Sequence, residues 1–149
     1  MPLPRPRPGI QNERGSALIE FALIAPVTLL LLAGVLNYGM ALRTATAVAN
    51  AARVGAQFGA KSSASATDTS GIRSAAVNSA PTLSGMTVTS SASCQCPDGS
   101  SVSCTGTCVS GKKLMYVKVT VTAASTTFFN YAGLPFTGEV KAQASMRAQ

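Results

Sequence analysis

Residues 14–42 read RGSALIEFALIAPVTLLLLAGVLNYGMAL, and this stretch decides what the rest of the chain can be. From Phe21 to Leu42 there are 22 residues without a formal charge. At helical rise they span about 33 Å, enough to cross the hydrocarbon core of a bilayer. A membrane-spanning helix is the expectation. One residue does not suit a plain anchor: Glu20 places a carboxylate at the mouth of the run, five residues after Gly15. A carboxylate there costs roughly 2.5 to 3.5 kcal/mol on insertion scales unless it is paired.

Working outward, residues 1–14 (MPLPRPRPGIQNER) alternate proline with arginine, which forbids a regular helix and leaves nothing to pack. They are expected to form a short basic leader. The apolar run is longer than that of a secretory signal and begins beyond the Arg14-Gly15 junction, so an uncleaved signal anchor is the ordinary alternative to a cleaved leader. Pro26 removes one helix hydrogen bond and is expected to kink or loosen the first turns. Beyond Leu42 the helical spacing continues through Ala45, Ala49, Ala52, Ala56 and Gly59, a narrow face of small residues that lets another helix or a sheet approach closely. A helix over residues 16–60 would be about 68 Å long.

Downstream, residues 61–69 (KSSASATDT) read as a polar breaker, followed by a short helix near residues 70–80 with Ile72, Ala75, Ala76 and Val77 inward. A short strand is expected at residues 86–91. The two best strands are residues 114–123 and 139–147. In the first, Met115, Val117, Val119, Val121 and Ala123 share a face; in the second, Val140, Ala142, Ala144 and Met146 do. Each has one wet face, which suits an antiparallel sheet laid on the helix that ends near Ala60. The link between them holds Phe128, Phe129, Tyr131, Leu134 and Phe136, read as a loop folded back to close the core.

All four cysteines, Cys94, Cys96, Cys104 and Cys108, fall in one Ser/Gly-rich excursion around a Pro97-Asp98-Gly99 turn. An even number so clustered reads as two disulfides in an oxidising compartment such as the periplasm, with pairing across the turn preferred to a strained Cys94–Cys96 bond. A tetrathiolate zinc site is the competing use, but its C-x2-C spacing is missing. The cysteines place the C-terminal part outside the cytoplasm and the N-terminus inside.

Composition excludes much else. The chain has 149 residues, 5% aromatic, with no tryptophan, so a head built from residues 61–149 has a thin core. Net charge is +7, and +5 once residues 1–15 are set aside. The cations are scattered without interleaved aromatics, which argues against nucleic acid and leaves anionic lipid or an acidic partner. There is no histidine, the five acids are dispersed, and no phosphate-binding glycine pattern occurs. An enzyme, a resident metal or cofactor, and a small-molecule substrate are not expected.

At Gly15, Ser16, Glu20 and Phe21 the chain resembles the prepilin class, with a glycine, four residues and then glutamate. More narrowly it is similar to TadE-like pilus-assembly proteins, minor pilins or pseudopilins of tight-adherence (Flp, type IVc) systems, through Arg14, Gly15, Glu20, Phe21, Pro26 and the small-residue helix of residues 49–59. The resemblance implies cleavage by a prepilin peptidase after Gly15, inner-membrane residence, and partnership with other pilins and the tight-adherence machinery. The expected fold is α+β: a leader at 1–15, a transmembrane and assembly helix at 16–60, and a small disulfide-containing head at 61–149 with an antiparallel sheet packed on the helix. The alternative is a signal-anchored periplasmic binding or scaffold module whose helix is only a tether.

Overall fold

The structure, a computed structural model, describes residues 13–125 and 138–149. Seven elements follow in order: helices α1 (Glu13–Gly59), α2 (Ser63–Thr67) and α3 (Thr69–Ser79), then strands β1 (Thr87–Gln95), β2 (Ser101–Val102), β3 (Leu114–Ala124) and β4 (Glu139–Arg147). The chain divides into two units, Met1–Leu36 and Asn37–Gln149, and α1 contributes to both. The α+β expectation holds. The first 12 residues of the expected leader and the aromatics of the expected closing loop lie outside the described residues.

In the first unit the described chain is helix throughout, and α1 passes Pro26 without interruption. Its large side chains face outward: Leu18, Phe21, Leu23 and Val35 are all about 70% exposed. Inside the apolar run the Thr28 hydroxyl is satisfied within the helix, donating to the Ile24 carbonyl one turn back at 3.0 Å.

The second unit is a helix-on-sheet layer. The sheet has the order β2-β1-β3-β4, antiparallel at every step. The central strand β3 pairs with β1 over nine positions, from Thr87↔Thr122 to Gln95↔Leu114, and with β4 over nine, from Tyr116↔Arg147 to Ala124↔Glu139. Val117, Val119, Val121 and Ala123 of β3 are buried, while Lys118 between them is exposed, as the alternation of the sequence requires. Against this inner face lies the second part of α1 with α3. A β-carbon on Gly59 would stand 2.9 Å from Val117 Cγ1, and one on Gly55 would stand 3.2 Å from Val119 Cγ1. Helix and strand therefore meet backbone to side chain, a separation that larger residues would not permit.

The buried face of this helix segment is Thr44, Val48, Ala51, Ala52, Gly55, Ala56 and Gly59. The expected stripe is rotated by a fraction of a turn: Ala52, Ala56 and Gly59 are buried, Ala45 and Ala49 are half-buried, and Leu42 is exposed. The sheet follows the line set by Val48, the largest side chain on that side of the helix. Around α3, Ile72 and Ala76 are buried and Ala75 is half-buried, but Val77 points outward. Val77 lies five residues beyond Ile72, well off the face defined by Ile72 and Ala76.

The segment expected to be a breaker contains α2, capped by Ser62, whose hydroxyl accepts from the Ser65 N–H at 3.1 Å. Asp68 then closes α2 and opens α3; its carboxylate accepts the Gly71 N–H at 2.9 Å and the Ser70 hydroxyl at 2.7 Å. β1 runs to Gln95, beyond the expected end at Ser91, because β3 offers pairing partners along its whole length. The chain returns to α1 at its close, where the Gln149 N–H donates to the Ala60 carbonyl at 3.1 Å.

Candidate functional site

Two places draw the residues singled out in the sequence: the start of α1 and the cysteine excursion. Gly15, Ser16, Glu20 and Phe21 all lie in the first turns of α1. Ser16, Glu20 and Phe21 are exposed, and a β-carbon built on Gly15 would meet nothing within 4 Å. Ser16 and Glu20 stand four residues apart in a helix, so they share a face one turn apart. Phe21 belongs to the exposed apolar surface that follows. The helix of residues 15–59 is long and apolar enough to cross a membrane. Its exposed leucines, isoleucines and valines over residues 18–36 make a surface that water does not favour.

What this arrangement offers is an accessible backbone at Gly15 and an ionisable carboxylate beside a small residue, followed by an all-round apolar helix. Among the described residues, no group of three or more His, Cys, Asp or Glu side chains could hold a metal ion.

At the cysteine excursion, the structure joins Cys94 to Cys104 and Cys96 to Cys108, with Cα separations of 5.1 and 5.7 Å. Both bonds cross the Pro97-Asp98-Gly99 turn, and among the described residues no cysteine is free. The reason is local. β1 carries Cys94 to the inner face opposite Met115, the chain reverses through Asp98 and Gly99, and β2 returns with Val102 facing Cys94. Asp98 holds the turn by accepting from the Ser100 hydroxyl at 2.7 Å and the Ser100 N–H at 3.0 Å. These bonds keep its carboxyl below the usual carboxylate range. The Lys113 ammonium then ties the loop from the other side, donating to the carbonyls of Cys104 and, at 3.4 Å, Gly106.

Residues overlooked in the sequence are Val48, Ala51 and Gly55, which form the middle of the helix–sheet contact. The signal was available in Val48, whose bulk marks the inward line. The alanines around it blurred that line, since Ala occurs on several faces of this helix.

The chain matches no curated protein and no solved structure. The family model described as TadE-like protein matches residues 15–57, under a third of the chain, beginning at Gly15 and ending just before the close of α1. Through the helix that carries Gly15, Glu20, Pro26 and the buried small-residue face, this part of the chain is similar to the TadE-like proteins.

Proposed function

We propose that this protein is a minor pilin or pseudopilin of a tight-adherence (Flp, type IVc) pilus system, processed by a prepilin peptidase between Gly15 and Ser16. The observation that carries the reading is the pairing of Gly15 and Glu20 at the head of an exposed apolar helix, inside the segment matched by the family. In this reading the domains are a leader at 1–15, an assembly helix at 16–60 and a head at 61–149. The chain spans the inner membrane once, N-terminus in the cytoplasm, head in the periplasm where its two disulfides persist.

Cleavage supplies what Glu20 lacks as an anchor residue. The new α-amino group of Ser16, or that of a neighbouring subunit, is a cation one helical turn away and neutralises the carboxylate in the apolar phase. Removing the leader also removes Arg5, Arg7 and Arg14, which hold the helix to the cytoplasmic face. The mature helix can then pass from lipid to a bundle of like helices, where its outward leucines and valines find side chains instead of acyl chains. The partners are the peptidase, other pilins and the inner-membrane machinery.

N-terminal sequencing of the mature protein, from cells with and without the peptidase, is the direct test. Ser16 is the expected first residue with the enzyme and an intact leader without it. Gly15→Ala should block maturation, and Glu20→Ala should leave membrane insertion intact while piliation fails. Normal piliation by Glu20→Ala would reduce the helix to a tether.

A further inference from the structure

The sheet covers one side of α1 over residues 44–59, and the opposite side is a straight row of exposed polar residues: Arg43, Thr46, Asn50, Arg53 and Gln57. Their 3-4-3-4 spacing makes a seam about 21 Å long, the pattern by which one helix lies along another. Both charges in the seam are positive. Neither guanidinium has a hydrogen-bond or ion-pair partner among the described residues, whereas Lys61, just past the helix, stands over the Phe58 ring at 5.3 Å.

The fold gives these two cations no use. A cation answers the helix dipole in the last turn, and α1 has no basic residue there. A solvated helix face is ordinarily stabilised by an acid and a base four residues apart, but from Phe21 to Thr67 the chain has no Asp or Glu. Of the acids that follow, Asp68 caps α3, Asp98 holds the disulfide turn and Glu139 opens β4. Topology adds a cost. Beside a membrane span Lys and Arg favour the cytoplasmic side, and the proposed orientation puts Arg43 and Arg53 on the other.

We infer that this seam docks an acidic helix of a different subunit and turns away a second copy of this chain. The inference rests on the proposed assembly role, in which α1 joins other helices, and it names the chemistry of the neighbour. Copies rising side by side from one membrane in register would set Arg43 against Arg43 and Arg53 against Arg53. A shift of a few turns brings no carboxylate to them, because α1 has none after Glu20. Anionic lipid meets only the start of the seam: Arg53 lies about 16 Å of helix past Leu42, the end of the charge-free run, against a headgroup layer of roughly 5–8 Å. A partner helix anchored in the same membrane is already held alongside α1 and can follow the whole seam. Its carboxylates would stand about 15 Å apart to meet Arg43 and Arg53.

The test takes the acidic helix from the chain itself. Full-length wild type and its Arg43→Glu, Arg53→Glu variant, differently tagged and each with a benzophenone-bearing residue in place of Asn50, are mixed in zwitterionic vesicles and photolysed. At low salt, mixed dimers should exceed their random share about fivefold, from two exposed pairs formed and two repulsions removed. The excess should shrink at about 1 M salt. Arg43→Gln, Arg53→Gln should fall between, and unchanged far-UV circular dichroism would show that these exposed substitutions leave the fold intact. Random proportions at Asn50 would overturn the inference. The same probe in place of Val27 reports association of the apolar part, which should not sort by charge; sorting at Asn50 without cross-links at Val27 would support the seam and fault the assembly role. In piliated cells, the Asn50 probe in the otherwise wild-type chain should link to an Asp- or Glu-bearing helix of another protein, read by mass spectrometry of the joined peptides. Linking chiefly to a second copy, or to lipid, would overturn the inference as well.

Discussion

The two parts of α1 are one continuous helix built to opposite rules. Over residues 18–36 the side chains are mostly large and exposed; over residues 44–59 they are mostly small, and those facing the sheet are buried. The first part has apolar bulk with no partner of its own, so its stability as a surface depends on lipid or other helices. The second has little bulk and a fixed partner, because a sheet has come close enough to touch its glycines. Polarity and side-chain size both separate the two parts: Asn50, Arg53 and Gln57 fall only in the second, and bulk marks a surface that meets a variable environment while smallness marks one that meets a single fitted neighbour.

The contrast can be broken from the head side first. Replacing all four cysteines with serine frees loops closed by separations of 10 and 12 residues and should cost about 2–4 kcal/mol for each bond. In a head whose core is largely alanine, that loss should abolish the sheet's cooperative melting at ordinary temperature, read by circular dichroism of the full chain in detergent. Ile72→Ala removes the largest fully buried side chain and should lower stability by about 2–5 kcal/mol in denaturant titration.

A sharper comparison uses one substitution at two heights of the same helix. Gly59→Ala puts a methyl 2.9 Å from Val117 Cγ1 and 3.2 Å from Ile72 Cδ1, and should destabilise the head by about 1–3 kcal/mol. Gly34→Ala meets nothing within 4 Å and should be neutral or favourable by up to about 1 kcal/mol through helix propensity. Equal effects at both positions would mean that the two parts do not differ as described. The comparison needs only thermal melting of two single variants.

The smallest effect lies at the start of α3. The hydroxyl of Ser70, and after it the Gly71 N–H, hold the Asp68 carboxyl below its ordinary value. A lowered folded-state value means that this contribution is complete above about pH 4 and is lost as pH falls through the lowered value. Asp68→Asn keeps an N-cap acceptor without the charge. It should flatten the fall in melting temperature below about pH 4 while leaving neutral pH nearly unchanged.

How much of this could be read in advance varied with side-chain character. β4 was legible to its ends because Val140, Ala142, Ala144 and Met146 alternate with charged or polar residues. β3 was nearly so, for the same reason. The second half of β1, Ser-Ala-Ser-Cys-Gln, alternates only through Ala92 and Cys94, side chains too small to mark a face, and its pairing with β3 makes it a strand. The same cause rotated the helical face, since alanines at 45, 49, 51, 52 and 56 fit more than one line. Gly15 and Glu20 were legible as spacing and chemistry. Their packing was not, because both are exposed at the start of α1 and the peptidase and neighbouring helices proposed for them lie in other molecules.

The contact between Gly59 and Val117 has a consequence for synthesis. The helix residue is made 58 positions before the strand residue that covers it, and at about 5–20 residues per second that leaves several seconds in which the small-residue face waits uncovered. A face of leucines waiting that long would invite chance partners in the crowded surroundings of a nascent chain. One of alanine and glycine exposes little that is sticky, so the head can be completed late without being captured early.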